Sequence, residues 1–172
     1  MTIMTADLCD EYAADIQVAE PIFQTYGSRR SFGGQAVTLR VFEDNPLVRS
    51  ALEEAGRGQV LVIDGGASQR CALLGGNIAR LASENGWSGV IINGCIRDRL
   101  EIDAMDIGVR ALDTCPRKSR KQGLGERDVA LCFAGIDVTP GDYIFSDEDG
   151  VVVSARDLSQ SVSEASGPTG HY

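Results

Sequence analysis

Two short stretches of this sequence carry residue types that can do chemistry. Gly75-Gly76-Asn77 stands just before Ile78, Ala79, Leu81 and Ala82, whose spacing is helical. The stretch therefore opens a helix whose first amides have no partner inside it and can hold an anion, while the glycines let a ligand approach the backbone. Without a ligand it is a tight turn, and the G-x-G-x-x-G dinucleotide fingerprint is absent. The second stretch, Arg97-Asp98-Arg99-Leu100-Glu101, follows a continuous apolar run. Arg97 offers a planar fork that matches a carboxylate. Asp98 and Glu101, three apart on a short helix, present two hard oxygen ligands to Mg²⁺ or Mn²⁺. Either stretch alone is ordinary, the second being a solvated charge cluster. Together they suit a 2-keto acid chelated to a divalent metal.

What is missing narrows the chemistry further. The one histidine, His171, is the second-to-last residue, which leaves no Ser-His-Asp triad, Cys-His dyad or histidine-rich metal site in one subunit. Five cysteines, Cys9, Cys71, Cys95, Cys115 and Cys132, are odd in number and form no C-x-x-C pair, so they read as reduced, mostly buried thiols. A general base must then be water or a carboxylate, including one from a neighbouring subunit; Asp64, Asp147 and Asp149 are weak candidates, since each also fits a turn. Arg117-Lys118-Ser119-Arg120-Lys121 packs four positive charges into five residues. With no aromatic residues interleaved it reads as a solvated loop, and direct nucleic-acid binding is not expected.

The elements that must position these residues follow from periodicity. Gln59 to Ile63 and Gly89 to Ile96 are short apolar runs of the kind found in strands buried on both faces, and the Gly76 helix lies between them. Strand, helix and strand make a βαβ unit with parallel strands and a right-handed crossover. Such a unit delivers its ligand site to the carboxyl ends of the strands, where Arg97 stands. Upstream, Thr5 caps an amphipathic helix carrying Leu8, Tyr12, Ala13 and Ile16, Gly33 to Phe42 alternates as a strand, and Pro46 starts a helix running to about Ala55. Downstream come a short helix from Arg99 to Met105 and strands at Gly108 to Leu112, Val129 to Val138 and Val151 to Ala155, with turns on either side of Tyr143-Ile144-Phe145. One domain over residues 1–158 and a mobile tail over 159–172 are expected.

Composition agrees. With 172 residues, 43% of them hydrophobic and 24% charged, the chain has the size and balance of one globular domain. A net charge of −9 opposes phosphate backbones and anionic lipid, so a small molecule or a protein is the better partner. The N-terminus turns acidic before any apolar run that could serve as a signal peptide, and no run is long enough to span a bilayer, which predicts a cytoplasmic location and no membrane.

Several clusters carry a resemblance that spans about Ala6 to Leu158. They are Asp7-Leu8-Cys9-Asp10, Phe32-Gly33-Gly34, Phe42-Glu43-Asp44-Asn45, Val62-Ile63-Asp64-Gly65-Gly66, Gly86-Trp87, Gly94-Cys95-Ile96-Arg97-Asp98, Asp106-Ile107-Gly108, Gly141-Asp142 and Asp149-Gly150. The chain resembles the RraA-like family, which joins the regulators of ribonuclease activity A to the 4-hydroxy-4-methyl-2-oxoglutarate aldolases. The resemblance implies an α/β fold, a three-layer α/β/α domain similar to the phosphohistidine swivelling domain, assembled as a homotrimer that can pair into a hexamer. Aldolase members show a Gly, twenty residues, Arg-Asp, two residues and an acid, a register met here by Gly76, Arg97, Asp98 and Glu101. Regulator members more often carry Asp at the position of Gly76, although the overall wording of this chain is closer to theirs.

By that resemblance Arg97 binds the carboxylate or keto end of a pyruvyl group, Asp98 anchors Mg²⁺ or Mn²⁺, the amides of Gly76, Asn77 and Ile78 hold the carboxylate, and Glu101 is an outer ligand or orders water around the metal. The implied reaction is class II aldol cleavage to pyruvate, with oxaloacetate decarboxylation through the same enolate. The alternative it implies is a non-catalytic regulator whose partner is a ribonuclease or helicase.

Overall fold

The most apolar short runs of the chain become its central strands. In the computed structural model, which describes residues 3–160, the chain runs α1 (Thr5–Glu11), β1 (Ile16–Val18), β2 (Gln24–Tyr26), β3 (Phe32–Arg40), α2 (Pro46–Glu53), β4 (Val60–Asp64), β5 (Ala72–Leu74) and α3 (Gly76–Glu84). It continues with β6 (Gly89–Ile96), α4 (Arg99–Asp103), β7 (Gly108–Thr114), β8 (Glu126–Arg127), β9 (Leu131–Phe133), β10 (Ile136–Val138), β11 (Tyr143–Ser146) and β12 (Val151–Ser154). Ten strands form one mixed sheet in the order β1-β12-β11-β3-β4-β6-β7-β2, with β5 added beside β6 and β8 beside β3. The pairs β3–β4, β4–β6 and β6–β7 are parallel, so the predicted βαβ unit is present.

Alternation along the central strands supplies two cores. On one face Leu39, Leu61, Ile63, Val90, Ile92, Val109 and Ala111 pack under Val48 and Leu52 of α2, Ile78 and Ala82 of α3 and Ile102 of α4. On the other, Ala36, Val60, Val62 and Ile91 are covered by the β9–β10 hairpin through Leu131, Phe133, Ile136 and Val138. A third cluster seats Leu8 of α1 on Phe145 and Val152. Burying both faces is what a parallel sheet requires.

Three local expectations are corrected. The first helix stops at Glu11, and Ile16 instead opens β1, pairing with Ser154. Thr5 does not cap its own helix; its amide and hydroxyl both donate to the carboxylate of Asp147, at 2.7 and 2.6 Å. The run Val129 to Val138 is not one strand but a hairpin, because Ala134 and Gly135 both adopt positive φ (50° and 70°) and reverse the chain in two residues. Strands β1, β2, β5 and β8, of two or three residues each, carry too little pattern to be read from sequence. Of the expected tail, all but Ser159 and Gln160 lies outside the described residues, as does His171.

The Thr5–Asp147 contact carries a prediction. Burial pushes the Asp147 carboxyl up, but hydrogen bonds from the Thr5 hydroxyl and amide and from the Asp149 and Gly150 amides outweigh it and hold it below its usual value. A carboxylate with a depressed folded-state pKa stabilises the fold fully above its unfolded value, near 4, and loses that contribution as pH falls through the folded one. Thr5→Val should therefore cost about 1.5–3 kcal/mol at neutral pH, and thermal melts should show the gap to wild type closing below about pH 4.

Candidate active site

The site forms where the carboxyl end of β6 meets the start of α3. Arg97 donates its amide to Leu74 at the end of β5, which draws the two segments together (2.9 Å). Asp98 then takes a left-handed conformation (φ 59°, ψ 42°) that turns the chain into α4. Asp and Asn tolerate this region better than other residues with a Cβ, so the residue type serves the turn as well as the chemistry. From this turn Asp98 Oδ2 accepts the Gly76 amide (2.9 Å).

The two glycines are explained by what lies against them. A Cβ at Gly75 would stand 3.0 Å from Asp98 Oδ2, and one at Gly76 would stand 2.3 Å from Glu101 Oε2. What approaches the backbone is thus this chain's own pair of carboxylates. Sequence reasoning gave all three amides of the first turn to a ligand; Gly76 is already engaged by Asp98. The amides of Asn77 and Ile78 meet no acceptor among the described residues and point from the positive end of α3.

Arg97 is half-buried and touches the described residues only weakly, through Nη1 to the Pro116 carbonyl at 3.5 Å. Its fork is free for a ligand. Glu101 is more than half exposed, with Oε2 3.9 Å from Arg80. Five of the six residues singled out from the sequence, Gly76, Asn77, Ile78, Arg97 and Asp98, line one cavity of about 130 Å³; the sixth, Glu101, does not line it but stands against Gly76 at its edge.

The same cavity holds residues that sequence reasoning missed: Asn45, Arg49, Lys118, Ser119 and Lys121. The basic run read as a solvated loop is folded back over the site. Ala72 donates its amide to Arg117 (2.8 Å), Arg120 donates to Glu43 (2.8 Å), and the buried Asp44 accepts the Gly123 amide (3.0 Å). Lys121 then donates to Asn45 Oδ1 at 2.5 Å, while Asn45 Nδ2 donates to Leu73. The ammonium end is partly withdrawn from water, and this, with Arg97 and Lys118 nearby, holds the Lys121 pKa below the usual lysine value. The signal lay in Glu43-Asp44-Asn45, which holds the loop from a distance in sequence through the Glu43 carbonyl and the side chains of Asp44 and Asn45. Four cationic side chains line the cavity against the single carboxylate of Asp98, a positive recess in a chain of net charge −9.

The remaining carboxylate candidates belong elsewhere. Asp64 Oδ1 accepts Gly66 N (2.9 Å) and Asn93 Nδ2 (3.1 Å), a turn role. Asp147 is committed to Thr5 and Asp149. A larger cavity, about 440 Å³, is lined by Ser31, Gly33, Tyr143, Phe145 and Ser146, but Asp157 is its single carboxylate and no cationic side chain lines it.

The donors present fit a hard divalent cation that keeps most of its water. Asp98 Oδ1 is uncommitted and Glu101 stands one helical turn on, while no group of three or more His, Cys, Asp or Glu among the described residues forms a full protein cage. Mg²⁺ and Mn²⁺ are bound in this way, through one or two carboxylates plus water and substrate.

Fold and site together define a mixed α/β protein in which a helix start with two unpaired amides faces an arginine and two carboxylates. Comparison with known proteins makes this specific: the chain belongs to the RraA-like family, Aldolase/RraA, whose profile matches residues 5–153. A protein of Dechloromonas aromatica, provisionally named a 4-hydroxy-4-methyl-2-oxoglutarate aldolase, is 54% identical over 162 residues, 92% of this chain and 99% of that one. A Thermus thermophilus structure described as the RNA-processing inhibitor RraA superposes with a TM-score of 0.89 at 48% identity, covering 93% of this chain and 97% of that one. A Geobacillus kaustophilus structure, named for a 2-dimethylmenaquinone methyltransferase, matches with a TM-score of 0.89 at 55% identity, over 91% and 97% of the two chains. One fold at about half identity thus carries three functional names, and function has to be argued from the site. No helix among the described residues is long and apolar enough to cross a membrane.

Proposed function

We propose that this protein is a metal-dependent carbon–carbon lyase that cleaves 4-hydroxy-4-methyl-2-oxoglutarate to pyruvate and decarboxylates oxaloacetate at the same site. The observation that carries this reading is the convergence of Arg97, Asp98 and the free amides of Asn77 and Ile78 on one cation-lined cavity. The relatives provisionally named aldolases support it.

Asp98 would hold a divalent cation, Mg²⁺ or Mn²⁺, and Glu101 would order its water or serve as an outer ligand. When bound, that cation supplies Lewis-acid polarisation of the 2-keto oxygen. The amides of Asn77 and Ile78 grip the carboxylate next to the keto group. As water or a carboxylate takes the 4-hydroxyl proton, that oxygen becomes the carbonyl of one pyruvate, the C3–C4 bond breaks and its electron pair becomes the enolate of the other; Arg97 lies against this pyruvyl end, where the negative charge grows. A fixed guanidinium there favours the transition state more than the ground state. Lys118 and Lys121 take the carboxylate at the far end of the substrate. Loss of carbon dioxide from oxaloacetate leaves the same enolate, so the same groups serve both reactions. Leu100, 87% exposed next to Asp98, fits a site that lies at the border with another copy in a homotrimer or hexamer.

Pyruvate release from both substrates, with Mg²⁺ or Mn²⁺ and again after chelation, is the direct test. Metal-dependent release is expected from both. Absence of release from folded, oligomeric protein with either metal overturns the lyase reading. Lys121→Met should raise KM by about tenfold with a smaller change in kcat, as loss of one charge-assisted contact to bound substrate predicts. Because the lysine is depressed, its grip fades as pH rises through its lowered pKa, so KM should climb on the alkaline side, and Lys121→Arg should move that limb to higher pH.

The Thermus thermophilus inhibitor favours a second reading, a regulator that binds a ribonuclease, with the acidic surface facing a basic partner. Retention of a ribonuclease from host extract at physiological salt is its test, and failure to retain one there removes it.

A further inference from the structure

The basic run beside the site has a second face. Arg117, Lys118 and Arg120, with Glu43 and Arg70, line a groove of about 220 Å³ that shares Lys118 and Ser119 with the active-site cavity. Its one carboxylate is already engaged: Glu43 Oε1 accepts the Ser68 hydroxyl (2.8 Å) and Arg70 Nε (2.5 Å), and these bonds hold the carboxyl below its usual value. Arg117, Lys118 and Arg120 are exposed, and their side chains form no ion pair among the described residues. Most cations of this chain are not left so. Nine of the 16 pair with a carboxylate among the described residues, and five of the other seven, Arg97, Arg117, Lys118, Arg120 and Lys121, line this groove or the cavity beside it. In a chain of net charge −9, cations left unpaired and gathered in one place mark a site for an anion.

The run has no aromatic residue of its own, but the fold sets one beside it. The Arg120 amide donates to the Glu43 carbonyl (2.8 Å) and Asp44 bridges to Arg120, so the segment that begins with Phe42 lies along the groove. Phe42 is 56% exposed. One edge of its ring rests on Gly66, where a Cβ would come within 2.8 Å, and the Arg70 guanidinium stands 5.8 Å from the ring centroid. An aromatic ring held in water beside unpaired cations suits a ligand that offers a base for stacking and phosphates for charge. We infer that this groove binds a nucleoside diphosphate, its base stacked on the Phe42–Arg70 pair and its phosphates held by Arg117, Lys118 and Arg120. A lone carboxylate or phosphate makes no use of the aromatic ring, and a long nucleic acid meets the repulsion of the acidic surface. A diphosphate gathers its charge on one short stretch of oxygens, which the three cations match.

The test is isothermal titration of the full chain with ADP in low-salt buffer containing EDTA, so that no divalent cation at Asp98 recruits the phosphates. One ADP per chain should bind, about tenfold tighter than inorganic pyrophosphate, with that advantage lost in Phe42→Ala and kept in Phe42→Trp. Arg120→Gln, outside the active-site cavity, should weaken ADP by about tenfold, and Arg120→Lys by less. Phe42 and Arg120 are both exposed, so these variants should melt within a few degrees of wild type. Three results overturn the proposal: no binding of ADP, pyrophosphate bound as tightly as ADP, or ADP affinity unchanged in both Phe42→Ala and Arg120→Gln. A single-stranded oligoribonucleotide that binds tighter than ADP makes the groove a nucleic-acid surface and overturns it too. Titration reads binding without turnover, so its outcome is independent of the lyase reading.

Discussion

Asp98→Asn should reduce metal-dependent pyruvate release by about 100-fold or more while leaving the melting temperature within a few degrees of wild type. The substitution isolates charge from shape. Asn is among the few side chains that accept the left-handed conformation seen at φ 59°, and its carbonyl can still accept the Gly76 amide. What it cannot do is present an anionic oxygen to a hard cation. The structural loss is confined to one negative charge at the start of α3, worth about 0.3–1 kcal/mol. Asp98→Ala is a poorer probe, since it adds left-handed strain and leaves the Gly76 amide without its acceptor. Steady-state kinetics at saturating Mg²⁺ and Mn²⁺, beside thermal melts, check the expectation. An Asn variant that turns over within about threefold of wild type, well short of the loss expected for a metal ligand, removes Asp98 from the chemistry and reduces it to a helix cap.

How much of this site was legible from sequence depends on the range over which each residue acts. The placement of Gly76 and Arg97-Asp98 was readable because it is set locally. A strand buried on both faces announces itself as an apolar run, as in β4 and β6, and residues at its carboxyl end inherit a place at the ligand side of the sheet. Glu101 followed from helical spacing. The resemblance to the RraA-like family rested on those same words, and the family profile covers them. Lys118, Ser119 and Lys121 were not readable, since their placement depends on backbone bonds that their neighbours Arg117 and Arg120 make to Glu43, Asn45 and Ala72, 45 to 77 residues upstream. A charged run beyond the last central strand looks the same in sequence whether it is solvated or folded back. Thr5 misled for a related reason: a threonine at a helix start is a local cap by default, and the buried carboxylate of Asp147 outcompeted that use from 142 residues away. The commitment of Gly76 to Asp98 was hidden too, because it arises only where two helix starts face each other.

That facing arrangement makes Gly76→Ala the sharper test of whether the two carboxylates act together. In isolation the change should be harmless or mildly stabilising, because Gly76 begins α3 and Ala favours a helix over Gly by up to about 1 kcal/mol. The clash is with one group: the added Cβ would lie 2.3 Å from Glu101 Oε2 and 3.4 Å from Asp98 Cβ. Glu101 is the far end of a flexible, largely exposed side chain, so it swings away at little cost in stability. The fold therefore survives while the second carboxylate leaves its place beside Asp98, and a displacement of about 1 Å in such a constellation costs on the order of 100-fold in rate. Gly76→Ala should melt at or slightly above the wild-type temperature, lose about 100-fold in kcat, and need more Mg²⁺ for half-maximal activity. Glu101→Gln keeps the side chain in place and removes its charge. If it retains most of the rate while Gly76→Ala does not, the steric displacement has struck Asp98 instead, and Glu101 is a spacer. If both lose rate and both need more metal, the two carboxylates work as a pair.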